Sequence, residues 1–422
     1  MNNQRLELVA DFYEYTMANG YFNKNMQDRI AYFDVFFRKV PDEGGYAIVA
    51  GLEQIINYIR NLSFDEEDIS YLRKQNKFSE EFLNYLENFR FTGDIWAIPE
   101  GTVVFPNEPL ITVKAPIIQA QLLETMLLLT TNHQSLIATK TSRIVKEAQG
   151  RPVMEFGARR AHGINAAVEG ARAAIIGGAV GTSCTLSAKE FNVPASGTMA
   201  HSWIQSFDSE YEAFKAYAEL YPDDCTFLID TYNTIESGLP NAIKVFNEVL
   251  KPKGYRPKAV RLDSGDLAYL SKKVRKILDE AGYEDCKICA TNSLDEYLIK
   301  SLIEQDAKID LFGVGENLIT AKSEPVFGGV YKLVALEKDK KIVPKIKVSE
   351  NTAKVTNPSF KKVYRFYDNE TKKAIADVIT LADEIIDERE YMIFDPQNPW
   401  KKKVLKDYSI RLLQEKIFEE RK

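Results

Sequence analysis

Between residues 152 and 336, short apolar runs alternate with amphipathic segments, and this rhythm constrains the fold more than any other feature of the chain. The runs at 153–156, 175–180, 193–198, 226–230, 259–263, 288–291, 309–314 and 330–336 read as strands, while 238–250, 267–281 and 294–305 carry apolar residues at helical spacing. A strand that returns after an intervening helix pairs in parallel, through a right-handed crossover. About seven or eight such units in roughly 180 residues favour a closed α/β barrel over an open sheet, and in a barrel the chemistry sits at the C-terminal strand ends.

The flanks differ. Residues 1–90 read as mainly helical, with one aromatic strand at 30–38 (IAYFDVFFR), helical spacing at 47–62 and a charged helix start at 65–68. In 94–115 (DIWAIPEGTVVFPNEPLITVKA), β-branched runs are cut by Pro-Glu-Gly and Pro-Asn-Glu-Pro, which predicts hairpin strands. Residues 116–149 return to helix as far as Gly150-Arg151-Pro152. Beyond 336, KDKKIVPKIK reads as exposed edge strands, 363–368 and 375–379 as further strands, and 415–422 as a charged helical tail. The expected division is 1–150, 151–335 and 336–422, two or three domains for 422 residues.

Sixty-one acidic against 55 basic residues, a net charge of −6, argue against a nucleic-acid-binding protein but leave room for an anionic substrate at a local Arg cluster. No apolar run approaches the roughly 20 residues of a membrane span. The start, MNNQRLELVADF, lacks the basic and apolar regions of a signal peptide. Four cysteines are too few for a disulfide scaffold, so the chain reads as a soluble cytoplasmic protein with reduced thiols. Cys286-x-x-Cys289 has no second pair to complete a structural zinc site, so no zinc is expected.

The first seven predicted strands each run into a polar, glycine-rich or charged segment: Phe156-Gly157-Ala158-Arg159-Arg160, Gly181-Thr182-Ser183, Thr198-Met199-Ala200-His201-Ser202, Asp230-Thr231-Tyr232-Asn233, Arg261-Leu262-Asp263-Ser264-Gly265-Asp266, Thr291-Asn292-Ser293 and Gly313-Val314-Gly315-Glu316-Asn317. Each also has an ordinary structural reading. Asp263 and Asp266 suit a helix start, Gly313 and Gly315 suit a turn, and Arg159-Arg160 suits an exposed surface. Of the three histidines, His133 reads as structural and His162 as a helix-start neighbour, which leaves His201 as the candidate for chemistry. An Arg at a strand end is placed to grip phosphate or carboxylate. No Gly-x-Ser-x-Gly, Walker A, His-Glu-x-x-His or dinucleotide fingerprint is present.

Taken in order, DFYEYTMANGYF, FDVFFRKVP, IPEGTVVFPNEPLI, EFGARRAHG, GAVGTSC, GTMAHSW, LIDTYNT, VRLDSGDL, FGVGENLIT and VYKLVA resemble the nicotinate phosphoribosyltransferases, type II phosphoribosyltransferases, over most of the chain. The resemblance implies an irregular α/β barrel beside an α/β sandwich domain built from both chain ends. It implies transfer of the phosphoribosyl group of PRPP to nicotinate, in NAD salvage, with Mg²⁺ as cofactor and ATP as co-substrate hydrolysed through a phosphohistidine. That histidine follows Gly-Thr-x-x-His, here Gly197 to His201. By the same resemblance, His201 and Asp263 are catalytic. Nicotinate meets Tyr13, Phe156, Ser183, Thr198 and Arg261, with Tyr13 reaching in from the second subunit of a homodimer with shared active sites. PRPP and phosphate meet Arg159, Asp263, Asn292, Gly313, Gly315 and Thr320, and Mg²⁺ meets Asp263 and Asp266. One departure is Glu316, where the family shows Thr after Gly-x-Gly; the acid either turns outward or its contact is remade by Asn317 or Thr320. Related nicotinamide enzymes carry an acid where Ser183 stands, so neutral Ser183 implies nicotinate. The alternatives are a nicotinamide or quinolinate phosphoribosyltransferase, or a non-catalytic ligand-binding relative.

Overall fold

The computed structural model describes residues 6–348, 355–387, 389–396 and 398–419. The chain forms two compact units, one of residues 1–135 with 326–422 and one of residues 136–325.

The first unit is built on a six-stranded antiparallel sheet drawn from both chain ends. Its order is Lys341–Pro344, Gly329–Lys338, Ile30–Phe37, Ile111–Pro116, Asp94–Ala97 and Glu415–Phe418. The aromatic strand Ile30–Phe37 is central and buried along nearly its whole length, because sequence neighbours that alternate between faces are covered on both. Phe33 stacks on Tyr331 with ring centroids 4.7 Å apart. The lysine-rich hairpin at 329–344 takes the sheet edge, as its exposed charges require. The expected helical tail at 415–422 is instead the strand Glu415–Phe418 at the other edge, with residues 420–422 outside the described residues. Phe418 packs edge-on against Phe91, and Lys416 pairs with Asp94 at 3.1 Å, two long-range contacts that outweigh helix propensity. Within 47–62 the helix is confined to Leu52–Asn61, after a short strand at Ala47–Ile48. A three-stranded sheet (Lys361–Asp368, Ala374–Leu381, Tyr408–Leu412) and the hairpin Glu390–Asp395 with Asn398–Lys406 complete the unit around Phe366, Leu405 and Tyr408.

The second unit holds six parallel strands: β1 (Val153–Glu155), β2 (Gly181–Thr182), β3 (Thr226–Leu228), β4 (Ala259–Leu262), β5 (Lys287–Ala290) and β6 (Leu311–Val314). Their order is β2-β1-β6-β5-β4-β3, with helices between successive strands. The sheet is curled into an irregular α/β barrel. A single bridge, Thr182 to Ala195, extends it beyond β2, and His201, a few residues past that bridge, reaches to 3.2 Å from Asp230, just past β3 at the opposite edge.

Three expected strands differ. Residues 175–180 hold the end of the helix Ile164–Ile176 and the turn after it, and the next strand is only β2. An apolar run this short carries no periodicity to separate strand from helix. Residues 193–198 contribute only the Ala195 bridge. The strand at 330–336 exists but lies in the antiparallel sheet of the first unit, where it pairs with Ile30–Phe37. No helix among the described residues is long and apolar enough to cross a membrane.

Candidate active site

The polar strand ends of the second unit are joined by hydrogen bonds. Strand β3 runs into Asp230, whose carboxylate is buried. Its Oδ1 lies 3.2 Å from Nε2 of His201, while Oδ2 accepts from the Asp263 backbone N–H at 2.9 Å and the Ser264 hydroxyl at 2.6 Å. One carboxylate therefore ties together the loops after β3 and β4 and the start of the helix His201–Gln205. His201 is 39% exposed, so the ring is held on one side and open on the other. A carboxylate only accepts, so a proton on Nε2 suits this contact, and a neutral ring in that tautomer carries its lone pair on Nδ1.

The loop that carries Asp230 is itself fixed. Asn233 caps the next turn through the N–H groups of Ile235 and Glu236, and Gly238 closes on Ile229. A methyl group at Gly238 would stand 1.9 Å from the Ile229 carbonyl oxygen, so no other residue fits there.

Beside this network, Arg261 of β4 is largely buried and held on three sides. Its Nη1 donates to Thr198 Oγ1 at 2.8 Å and the Met199 carbonyl at 3.2 Å, its Nε donates to Thr291 Oγ1 at 3.1 Å, and its Nη2 lies 3.4 Å from Asp263 Oδ1. Thr291 in turn donates to Asp263 Oδ1. The guanidinium thus braces the segment leading to His201 against the ends of β4 and β5. Asp263 Oδ2 has no hydrogen-bond partner among the described residues. Asp266 is the N-cap of the helix Leu267–Glu280 and accepts from the Tyr269 N–H at 3.0 Å, as an ordinary helix start would predict.

At the other side of the sheet, Glu155 of β1 is fully buried. Its carboxylate accepts from the Gly157 N–H and from the Thr182 hydroxyl, the latter at 2.6 Å. Burial raises its pKa, and the two hydrogen bonds pull against that shift. Ser183 is exposed, with its N–H on the Glu155 carbonyl at 2.9 Å. Phe156 is half-buried against Gly313: a methyl group there would stand 2.5 Å from the Phe156 ring and 2.8 Å from Thr291 Cγ2, so the missing side chain makes room for the aromatic ring.

The loop after β6 begins at Gly315, the N-cap of the single turn Glu316–Ile319. Glu316 turns to Lys322, with Oε1 at 2.9 Å from Nζ, and lies 3.9 Å from Arg160; the Lys322 ammonium holds its carboxyl below the usual range. Thr320 donates its hydroxyl to the Glu316 carbonyl at 2.7 Å, and Asn317 ties this loop to Ser293 at 2.8 Å. Asn292 and Arg159 are exposed, Asn292 with a φ of 88°. Burial pushes the thiols of Cys225, Cys286 and Cys289 up to about 12.

Tyr13 belongs to the first unit, exposed on the helix Phe12–Asn23, with partial desolvation of its hydroxyl and the neighbouring Glu124 raising the hydroxyl pKa. The remaining expected residues all lie in the second unit. The sequence marks Asp230 and Thr291 only as members of polar strand ends, with no role attached, and does not single out Glu155. Asp230 and Thr291 end strands as the chosen residues do, and Glu155 is an acid inside an otherwise apolar strand, which was the available signal.

Known proteins supply the frame for these contacts. Residues 8–132, 152–380 and 360–422 match, respectively, the nicotinate phosphoribosyltransferase (NAPRTase) N-terminal domain, the nicotinate phosphoribosyltransferase (NAPRTase) family and the nicotinate phosphoribosyltransferase C-terminal domain. The chain is similar to the nicotinate phosphoribosyltransferase of Bacillus subtilis (strain 168), 46% identical over 415 residues that cover 98% of this chain and 84% of that protein. The Homo sapiens nicotinate phosphoribosyltransferase is 30% identical over 436 residues, covering 89% of this chain and 80% of the human protein. Among solved structures, human nicotinic acid phosphoribosyltransferase superposes with a TM-score of 0.86 at 26% identity, over 97% of this chain and 89% of that one. The fold also matches nicotinate-nucleotide pyrophosphorylase from Pyrococcus furiosus, with a TM-score of 0.75 at 24% identity over 100% of this chain and 92% of that one.

Proposed function

The chain belongs to the nicotinate phosphoribosyltransferase family, and we propose that it forms nicotinate mononucleotide and pyrophosphate from nicotinate and PRPP, coupled to ATP hydrolysis through a phosphorylated His201. The observation that carries this reading is the hydrogen-bonded run from His201 through Asp230 to Asp263 and Ser264, next to Arg261.

In the phosphoribosyl step the C1–pyrophosphate bond breaks and the pyridine nitrogen bonds to C1, through a centre with oxocarbenium character. The protein forms no bond to the ribose, so its work is positioning and charge neutralisation. Asp263 faces the ribose hydroxyls or the pyrophosphate, and Arg261 supplies fixed positive charge. Phe156 covers one face of the pyridine ring. Ser183, neutral and exposed, leaves the nicotinate carboxylate without a repelling acid and offers a hydroxyl donor. Tyr13 covers the other ring face in a partner subunit's site, which makes a homodimer the smallest active unit.

In the ATP step the Nδ1 lone pair of His201 attacks the γ-phosphorus, the bond to ADP breaks, and Asp230 stabilises the positive charge that develops on the ring. Water later takes the phosphoryl group from Nδ1.

Mg²⁺ is implied by the family. Asp263, with one carboxylate oxygen uncommitted, fits an ion that keeps its waters and binds chiefly through substrate phosphates, and Asp266, which caps its helix through one oxygen, has the other to offer. No cluster of three or more His, Cys, Asp or Glu side chains among the described residues forms a protein cage for a metal, in keeping with an ion carried by its substrate. When bound, the ion adds neutralising charge to the leaving pyrophosphate.

The test is to incubate the protein with PRPP, Mg²⁺ and nicotinate, nicotinamide or quinolinate in turn, with and without ATP, and to follow pyrophosphate. Release with nicotinate, stimulated by ATP, is expected. Release with another pyridine alone refutes the substrate, and no release with any refutes the enzyme.

A further inference from the structure

Glu155 is a buried acid that the proposed chemistry does not use. Its residue exposure is 0%, and burial alone raises the cost of its charge. Its compensation is two donors, the Gly157 N–H and the Thr182 hydroxyl, one on each side. An apolar residue would fill a strand interior without that cost, so the carboxylate is placed for the groups it holds.

Those groups are specific. Gly157 is the residue after Phe156 and opens the turn Ala158–Arg160. Thr182 ends β2 and precedes Ser183; its oxygen also accepts the Cys184 N–H at 2.9 Å, so the hydroxyl fixes the backbone on the far side of Ser183. Ser183 itself rests on the Glu155 carbonyl. The chain leaves β1 and β2 in two separate turns, and a single side chain spans both. We infer that Glu155 is a positioning residue for the pyridine pocket, setting the separation and angle between the Phe156 turn and the Ser183 turn. The inference rests on the proposed reading of those two residues as nicotinate contacts.

Glu155→Met keeps the length of the side chain and removes both acceptors, whereas a glutamine amide could still donate to the Thr182 hydroxyl oxygen and keep both links. Thr182→Val removes the hydroxyl, and with it both the bond to Glu155 and the acceptor of the Cys184 N–H, and leaves the Gly157 bond in place. Both variants loosen the pocket without touching the ribose or phosphate contacts. The experiment is steady-state kinetics of the full chain at saturating ATP, varying nicotinate and PRPP separately, for the unsubstituted protein, Glu155→Met and Thr182→Val. The expected result is a nicotinate KM raised at least roughly tenfold in both variants, each of which loses two hydrogen bonds, with the PRPP KM unchanged within about twofold. A residue that merely supports the fold would shift both KM values together or lower the folded fraction. A folded Glu155→Met protein with an unchanged nicotinate KM, or with both KM values raised alike, overturns the inference while the proposed function stands. Failure of both variants to fold overturns it too, in favour of a structural role. An unsubstituted protein with no nicotinate turnover overturns both readings.

Discussion

Replacing Asp230 by Asn tests the proposed phosphorylation at a single atom. Oδ2 of Asp230 accepts two hydrogen bonds, from the Asp263 N–H at 2.9 Å and the Ser264 hydroxyl at 2.6 Å. Those donors fix the orientation of the new amide: its oxygen stays with them, and its NH₂ faces His201 Nε2 across 3.2 Å. Nε2 must then accept, so the ring proton moves to Nδ1, the atom that would attack phosphorus. In a Ser-His-Asp triad the same swap costs about 10⁴-fold in kcat through the wrong tautomer. His201 is 39% exposed, so water partly offsets the mismatch. The expected loss is therefore about 10²–10³-fold, or roughly 2.7–4.1 kcal/mol. The assay is transfer of label from γ-labelled ATP to the protein, quenched in alkali, with the phosphorylated nitrogen assigned by NMR. Because both Oδ2 bonds persist, the unfolding midpoint is expected to stay at its original value. Labelling of Asp230→Asn within about threefold of the original rate, or label on Nε2 in the unsubstituted protein, would refute the tautomer argument.

Gly238→Ala places a methyl group 1.9 Å from the Ile229 carbonyl, a backbone atom that cannot rotate away. Denaturant titration is expected to show a loss of at least about 1–3 kcal/mol, with His201 labelling reduced because Asp230 adjoins Ile229. Ser183→Asp brings a like charge to the nicotinate carboxylate and is expected to lower nicotinate kcat/KM about 10- to 100-fold while raising that of nicotinamide; equal use of both pyridines by the unsubstituted protein would sink the assignment. Glu14, fully buried, has its carboxyl raised by that burial from 4.5 to about 7. Between those values the folded state holds a proton that the unfolded state has released, so this group's contribution makes stability fall as pH rises through the window and level off above it. Glu14→Gln is expected to remove that fall, read from denaturant midpoints at a series of pH values.

The fold was legible wherever long-range pairing agreed with local pattern. Strands β1, β3, β4, β5 and β6 each carry apolar residues bounded by polar turns, and the pattern placed them within one or two residues. It failed where two elements share a composition. The run AAIIGGAV suits a buried helix end as well as a buried strand, and only packing decides between them. It failed again at Glu415–Phe418, whose four residues, two charged and then two apolar, show no alternation to announce a strand, and whose pairing with Asp94–Ala97 is set by residues some 300 positions earlier.

The site divides along the same line. His201, Arg261 and Asp263 lie at polar strand ends that local sequence can mark, since each interrupts or succeeds an apolar run. Asp230 and Glu155 act through partners remote in sequence, 29 residues away for His201 and 27 for Thr182. Nothing local separates an acid that orients a histidine from one that merely ends a strand. The discriminating quantity is burial combined with an unshared charge: a carboxylate with almost no exposure, satisfied by neutral donors, is retained against its desolvation cost only where its hydrogen bonds set a geometry. Asp230 meets that condition with the Asp263 N–H and the Ser264 hydroxyl, Glu155 with the Gly157 N–H and the Thr182 hydroxyl. Asp266, exposed and capping its own helix through one oxygen, does not meet it.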